Sequence, residues 1–363
     1  MKNLMVLISL LLSSYLLESC TKEDTGCPQG SETDSLIIQL SKDTLEFDQF
    51  SFTTIKVLDK SGNDVTAECS YFANGFKITT ENNYYPLKTG TVIITASSQC
   101  QPSVRKTLTI IRPTDSTFTQ KLLVEDLTGT WCGFCTRAAD KLHTFKQSNS
   151  KLVVTAIHGG SSQDPFQYSS YTSYLNYFKL SGFPSVMINR KEKWNESNYT
   201  AFDAALQNWA PLGLAITSSS TADSISGTVN VKFNVSTERP LKLVIQLVEN
   251  DLVHPQVNYY SSKYGYTPYL YGGVSPVNDF VHEGVLRKTA TDLFGDAIPT
   301  EVQLKGNEYS KSFSLSTSGK TYQNTSFKMI SANSAIVAFV VDEKTNKVYN
   351  VQYAPFGATK NYD

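Results

Sequence analysis

The sequence lacks the features that would assign it to several common protein classes. Its 32 basic and 33 acidic residues leave no basic excess for binding nucleic acid or anionic lipid. The N-terminal apolar run, Leu4 to Leu17, is too short to span a bilayer. A single Cys-x-x-Cys pair is present, with no second pair or histidine pair at zinc-ligand spacing. The sequence therefore predicts no nucleic-acid partner, no metal and no cofactor, and it specifies no oligomeric state.

The N-terminus has the pattern of an exported lipoprotein. A basic start and the apolar run predict a signal peptide over residues 1–19. Leu17-Glu18-Ser19-Cys20 resembles a bacterial lipobox, which predicts lipidation of Cys20 and a membrane anchor. The alternative is an ordinary signal peptide with a chance cysteine. Residues 20–34 then read as a tether, in which Lys22-Glu23-Asp24 resembles a surface-export signal or is simply a solvated linker.

Residues 35–113 predict an N-terminal β-module. Short alternating runs such as Ser51 to Val57 and Thr91 to Ala96 are separated by turn residues, which is typical of an Ig-like β-sandwich. Cys69 and Cys100 both lie in this module and are candidates for a disulfide in an oxidising compartment. Cys27 in the tether could pair with either of them, so the pairing stays open.

The most informative stretch is Trp131-Cys132-Gly133-Phe134-Cys135. The stretch Lys121 to Leu127 predicts a buried strand before it, and Thr136 to Phe145 predicts a helix after it. The two cysteines therefore lie at a helix N-terminus, where the partial positive charge stabilises a thiolate. This pattern predicts a dithiol that can cycle with a disulfide.

Residues 117–213 resemble a thioredoxin-like α/β domain. The resemblance rests on the dithiol, on Asp126 six residues before Cys132, and on Phe183-Pro184-Ser185 before a further strand. It implies that Cys132 is the nucleophile, that Cys135 resolves the mixed disulfide, that Asp126 handles the proton, and that Pro184 is a cis-proline beside the disulfide. It also implies substrate contacts from Trp131, Phe183 and Phe134. Phe134 stands where many thioredoxins have proline, and this difference is expected to alter the redox potential.

Residues 214–363 predict a C-terminal β-sandwich. Between Val257 and Gly273 this region has six tyrosines among Gly and Ser residues, a composition typical of adaptable binding loops. Tyr264, Tyr266 and Tyr269 are therefore candidate ligand contacts. The alternative is a long loop that packs its own rings against the sandwich.

His158, at the end of the strand after the dithiol helix, has two interpretations. It could help to deprotonate a thiol, because its pKa lies near working pH. The favoured interpretation is a histidine that caps a loop, and His282 is interpreted as structural.

The order of these segments resembles the thioredoxin-like outer-membrane lipoprotein family of Bacteroidetes, named for a 28-kDa outer membrane protein. Matching stretches are Thr128 to Cys135, Ile157-His158 and Val285-Leu286-Arg287. The fold class expected is multidomain and mixed: an Ig-like β-sandwich, a thioredoxin-like domain and a second β-sandwich. The resemblance implies an outer-membrane location with a lipid anchor. Exposure on the cell surface depends on whether Lys22-Glu23-Asp24 is an export signal, so the membrane face stays open.

Two functions are predicted as alternatives. The first is a thiol–disulfide oxidoreductase acting on a protein thiol or disulfide, which the combination of Trp131, Asp126 and Pro184 favours. The second is a non-catalytic surface binding or adhesion protein that uses the thioredoxin fold as a scaffold and the tyrosine-rich loop for ligand contact.

Overall fold

A computed structural model describes residues 36–98, 104–114, 118–161, 163–266 and 270–363. The predicted signal peptide, tether, Cys20, Cys27, Cys100 and Tyr269 lie outside the described residues. The chain forms two compact units. Among the described residues, the first consists of residues 36–108 without two short segments, 44–53 and 85–91, which belong with residues 109–363 in the second.

The N-terminal region is built from short strands. Their bounds are β1 Ile37–Leu40, β2 Thr44–Glu46, β3 Thr53–Leu58, β4 Ser70–Ala73, β5 Phe76–Lys77, β6 Asn83–Tyr84, β7 Gly90–Ser97 and β8 Val104–Ile111. In the first unit β1 pairs antiparallel with β3, and β4 pairs antiparallel with β5 and β7. Along β7, Val92, Ile94 and Ala96 are buried and the residues between them are more exposed, which is the two-residue period of a strand with one covered face. Cys69 is a thiol here, and its Sγ donates to the carbonyl oxygen of Val65 at 3.4 Å.

The second unit contains three α-helices and seventeen further strands within its described residues. The helices are α1 Cys135–Ser148, α2 Tyr171–Phe178 and α3 Thr200–Leu206. The strands are β9 Leu122–Thr128, β10 Leu152–His158, β11 Ser185–Ile188, β12 Glu192–Lys193, β13 Leu212–Ser220, β14 Ser224–Phe233, β15 Leu241–Glu249, β16 Leu252–Val253, β17 Val281–His282, β18 Val285–Thr289, β19 Asp296–Ala297, β20 Glu308–Ser316, β21 Ser318–Lys320, β22 Ser326–Lys328, β23 Ser334–Asp342, β24 Val348–Pro355 and β25 Thr359–Lys360. Over the described part of the chain, no helix has the length and apolar character needed to cross a bilayer.

A nine-stranded sheet organises the second unit. Its order is β12-β11-β9-β10-β18-β15-β23-β24, with β19 paired to β15. The sheet therefore contains strands from both sides of residues 213–214, where the sequence predicts a domain boundary. A separate four-stranded sheet has the order β20-β14-β13-β25.

The sheet continues across this boundary through a short parallel junction between β10 and β18. Ala156 is registered with Val285, and the amide of Ala156 donates to the carbonyl oxygen of Gly284 at 2.7 Å. Gly284 has φ +64°, and a Cβ built there would lie 2.5 Å from the carbonyl oxygen of Val154. Only glycine combines this left-handed backbone with so close an approach.

Three buried clusters fill the second unit. Alternate residues of β9 point to opposite faces of the sheet and therefore join two different clusters. Leu122 and Val124 join one cluster with residues of α1 and α3. Leu123 and Leu127 join another, with Tyr174 of α2 and residues of β15 and β23. The third cluster lies between the nine-stranded and four-stranded sheets and contains residues of β13, β14, β15 and β23. The C-terminal half of the unit thus packs sheet against sheet.

A buried ion pair lies at the centre of the nine-stranded sheet. Arg190 donates from Nε and Nη2 to the two carboxylate oxygens of Glu125, each at 2.8 Å. Gln246 of β15 donates to the same carboxylate at 3.1 Å, and the hydroxyl of Tyr174 also donates to it. Both charged side chains are almost fully buried, so among the described residues these donors take the place of water around the carboxylate.

Candidate functional site

The two cysteines of the predicted dithiol form a disulfide at the junction of β9 and α1. Residues 129–135, here called the dithiol loop, follow the last residue of β9, and α1 begins at Cys135. Cys132 and Cys135 are bonded through their sulfurs with their Cα atoms 5.4 Å apart. Cys132 is 4% exposed and Cys135 is 1% exposed. Both members of the pair are therefore covered by protein.

The cover comes from the beginning of the tyrosine-rich loop. Residues 256–266 form what we call the tyrosine strap. The amides of Val257 and Tyr259 donate to the carbonyl oxygens of Thr130 at 2.8 Å and Gly133 at 3.0 Å. The side-chain amide of Gln256 donates to the carbonyl oxygen of Cys132 at 3.0 Å. These bonds join the strap to the backbone on both sides of Cys132.

Aromatic rings complete the contact between strap and dithiol loop. The ring of Phe134 contacts Tyr259 and Tyr266 edge to face, with centroids 5.0 and 5.6 Å apart. A Cβ built on Gly133 would lie 2.2 Å from the ring of Tyr259, so this ring closes directly over the loop. The ring of Tyr264 packs at a tilt against the ring of Tyr259, with centroids 4.6 Å apart. Phe134, predicted to contact substrate, is thus engaged by the chain's own tyrosines.

The outer tyrosines of the strap remain accessible. Tyr264 is 39% exposed and Tyr266 is 45% exposed, whereas Tyr260 is buried. The sequence predicted either a ligand-binding loop or a loop that packs its own rings. The described part of the loop packs its inner rings on the dithiol loop and presents part of its outer rings to solvent.

The other predicted substrate contacts, Trp131 and Phe183, pack against each other. The Phe183–Pro184 peptide bond is cis, as the sequence predicts. The rings of Trp131 and Phe183 pack edge to face with centroids 5.5 Å apart. The indole of Trp131 also donates to the carbonyl oxygen of Gly159 at 2.8 Å, which fixes the ring beside the dithiol loop.

Asp126 is buried in the middle of the sheet. It is registered with Val186 of β11 on one side and Ala156 of β10 on the other. Burial, with a smaller contribution from the negative charge of Glu196, raises the pKa of Asp126 to about 7. Its Oδ1 has no hydrogen-bond partner among the residues that the structure describes. This carboxyl can therefore take up or release a proton near neutral pH.

His158 forms a buried pair with Asp164, which the sequence analysis did not identify. Its Nδ1 lies 2.9 Å from Oδ2 of Asp164, an oxygen that also accepts the amide of Thr130 at 2.9 Å. Burial acts to raise the pKa of Asp164, but His158 and the backbone amides hold it below the ordinary value. The pair therefore links the end of β10 to the dithiol loop, in agreement with the loop-capping interpretation of His158.

A cavity of about 440 Å³ connects the buried polar groups. We call it the Asp126 cavity; its inner lining includes Asp126, Cys135, Leu142, His158, Val277 and His282. Burial, and then the neighbouring His158, lower the pKa of His282 to about 3, so that this ring is neutral. The cavity brings Asp126, His158 and the inner cysteine to one space.

Sequence reasoning missed three residues that shape this site: Asp164, Glu196 and Gln256. Glu196 accepts a bond from Nε of Arg137 at 2.8 Å and contributes to the raised pKa of Asp126. None of the three belongs to a motif, and Gln256 lies more than 120 residues from the loop that it contacts. Only the fold brings them to the dithiol.

Comparisons with known proteins identify one family, and the solved structures that match this chain include two from Porphyromonas gingivalis. The model of the family described as outer membrane protein Omp28 matches residues 171–360, a segment that begins after the dithiol. None of the curated proteins matches the chain. HBP35 of Porphyromonas gingivalis is 16% identical, with a TM-score of 0.45, covering 67% of this chain and 77% of that one. A domain of the outer membrane lipoprotein Omp28 from Porphyromonas gingivalis is 19% identical, with a TM-score of 0.25, covering 40% of this chain and 88% of that one.

Both structural likenesses have low identity and TM-scores below 0.5, and no functional conclusion is drawn from them. The family match is different, because it includes more than half of the 363 residues. The protein therefore belongs to the Omp28 family of outer membrane proteins, and its location is the outer membrane.

Proposed function

We propose that this protein is a lipid-anchored thiol–disulfide oxidoreductase whose reacting groups are Cys132 and Cys135, carried by a thioredoxin-like domain. The observation that carries the proposal is the position of Asp126. A buried carboxyl with a pKa of about 7 lines the same cavity as Cys135. A disulfide with only a structural role needs no such proton carrier.

The proposed reaction moves two electrons between the dithiol and a protein substrate. In the reducing direction the Cys132 thiolate attacks a substrate disulfide, forming a mixed disulfide and releasing one substrate thiolate, which takes a proton from solvent. Asp126 then accepts the proton of Cys135, and the Cys135 sulfur attacks Cys132. The intramolecular disulfide forms, and the second substrate sulfur leaves as a thiolate, which takes up the proton held by Asp126. The same steps in reverse oxidise a substrate dithiol.

Substrate access to Cys132 requires movement of the tyrosine strap in this proposal. Cys132 is 4% exposed, and the bonds from Val257 and Tyr259 hold the strap over it. Trp131, Phe134 and Phe183 would contact the substrate once the strap is displaced, and the backbone beside Pro184 would offer it hydrogen bonds.

The remaining predicted layout belongs to the same proposal. Lipidation of Cys20 and a tether to residue 34 would anchor the chain, followed by the Ig-like module of residues 35–113. The thioredoxin-like segment of residues 117–213 and the β-sandwich of residues 214–363 would share the nine-stranded sheet.

A second candidate function is a surface binding protein without redox chemistry. The exposure of Tyr264 and Tyr266, 39% and 45%, supports it, because half-exposed tyrosines in a loop are frequent ligand contacts. In this alternative the disulfide serves only to hold the dithiol loop in place beneath the strap.

Trapping of mixed disulfides distinguishes the two functions. Cys135→Ser removes the resolving thiol, so that a substrate joined to Cys132 should stay attached and be released by reductant. Cys132→Ser is the matched control and should trap nothing. Cys69→Ser in every variant removes a thiol outside the pair. If the Cys135→Ser protein captures no more partner than the Cys132→Ser protein, the oxidoreductase proposal fails and the binding function is favoured.

A further inference from the structure

Two buried polar atoms on neighbouring strands line the Asp126 cavity without a hydrogen-bond partner among the described residues. They are Oδ1 of Asp126 on β9 and Nε2 of His158 on β10. The side chains are 4% and 1% exposed. A buried polar atom without a partner is costly, and such atoms in a cavity are typical of a ligand site.

The neighbours of His158 determine what its free nitrogen offers. Asp164 is held as a carboxylate, accepting from the amides of Thr130 and Phe166, each at 2.9 Å. A carboxylate can only accept, so Nδ1 of His158 carries the hydrogen toward it. In the neutral imidazole Nε2 is then an acceptor. A ligand that donates a hydrogen bond matches this atom.

The other residues that line the cavity indicate the polarity, charge and size of the ligand. Leu142 and Val277 supply apolar wall, and the rings of Tyr271 and Phe280 pack edge to face with centroids 5.3 Å apart. Besides Asp126, His158 and the neutral His282, the charged and titratable groups of the lining are Asp140, His143, Lys146, Tyr271, Asp279 and Glu283. Carboxyl groups outnumber the lysine, which favours a positive ligand. A volume of about 440 Å³ fits a small organic molecule.

We propose that the Asp126 cavity binds a small organic cation, a protonated amine on an apolar body. The ammonium group donates to Asp126, which becomes a carboxylate, and to Nε2 of His158. The apolar body lies against Leu142, Val277 and the two rings. The site is formed with the disulfide intact, so the proposal does not depend on the redox activity.

Calorimetric titration of the full-length disulfide form tests the proposal with matched probes. Butylamine and phenethylamine should bind at pH 8, whereas 2-phenylethanol, the neutral counterpart of the second amine, should bind at least about tenfold more weakly, because it lacks the charge-assisted bond. Phenylacetate should not bind. Equal affinities for the amine and the alcohol, or no binding of either amine, would overturn the proposal.

Two variants assign the binding to this cavity. Asp126→Asn keeps the side-chain shape but removes the charge, and it should bring phenethylamine to the affinity of the alcohol. Asp203→Asn, an exposed position on α3, should bind the amine like the unmodified protein. If Asp126→Asn does not fold, as its melting curve would show, Asp279→Asn in the cavity lining should still weaken amine binding. Unchanged amine affinity in whichever of these cavity variants folds would refute the site.

The pH dependence separates Asp126 from the other groups of the lining. Because the pKa of Asp126 is about 7, amine affinity should rise between pH 6 and pH 8 as the carboxyl ionises. Asp126→Asn should therefore flatten most of the rise. A rise of the same size in this variant would assign the pH dependence to other groups and contradict the proposal.

Discussion

Replacement of Gly133 by alanine should open the tyrosine strap and speed reduction of the Cys132–Cys135 disulfide. Three hydrogen bonds, from Gln256, Val257 and Tyr259, hold the strap on the dithiol loop. At about 0.5–1.5 kcal/mol each they contribute roughly 2–5 kcal/mol, so that roughly one molecule in 30 to one in 5,000 is open at a given time. A thiol reductant reaches Cys132 only in that fraction.

The alanine methyl group would occupy the place of the Tyr259 ring. The added Cβ would lie 2.2 Å from that ring, a distance that no relaxed contact has. Overpacking of this kind costs about 1–3 kcal/mol, which should raise the open fraction and the reduction rate about 5- to 150-fold. The assay is a time course with dithiothreitol, quenched by a thiol-alkylating reagent and mapped to the peptide that contains Cys132.

Two controls separate strap opening from other effects. Gly182→Ala adds a methyl group with nothing within 4 Å, and it should leave the rate unchanged. Ile216→Val, in the buried core between the two sheets, lowers global stability by about 0.5–1.5 kcal/mol without touching the strap. If Gly133→Ala is reduced no faster than these two proteins, the strap does not limit access to the disulfide.

Three further predictions concern stability and location. The raised pKa of Asp126 means that the folded protein binds a proton more tightly than the unfolded chain, so the free energy of unfolding should fall as pH rises from about 4 to 7. This loss is worth roughly 4 kcal/mol and should be measurable by urea unfolding at pH 4 and pH 8. Asp126→Asn should abolish it. Arg190→Met should leave the Glu125 carboxylate buried without its cation and lower the free energy of unfolding by about 3–5 kcal/mol. Arg137→Met, at the partly exposed pair with Glu196, should lower it by at most about 1 kcal/mol in the same measurement. Cys20→Ala should move the protein from the membrane fraction to the soluble fraction, and retention in the membrane would contradict lipid anchoring at this residue.

The candidate site was predictable where local pattern and physical chemistry agree. The apolar run before Cys132 appears as the buried strand β9, and the helix after it begins at Cys135. The cis bond before Pro184 and the buried acid at Asp126 were implied by the resemblance to thioredoxins. These features depend on neighbours along the chain or on a motif whose spacing is visible in the sequence.

The contacts of the tyrosine-rich loop could not be predicted from local sequence patterns. Its composition is compatible with both ligand binding and packing, and the sequence does not state which surface its rings cover. The structure places Tyr259 over Gly133 and Gln256 on the backbone of Cys132, contacts between residues more than 120 positions apart. Such contacts depend on the paths of all the intervening strands, so no local pattern encodes them.

By itself the sequence determined the strand before the dithiol and the position of the dithiol at a helix N-terminus, because periodicity and short motifs act over a few residues. Only the tertiary structure decided that β10 and β18 pair, with Ala156 beside Val285, and thereby join two predicted domains in one sheet. It also decided that the disulfide is covered and that Asp126 and His158 line one cavity. The physical reason is that burial and long-range hydrogen bonding are properties of the packed chain, and any segment taken alone leaves them undetermined.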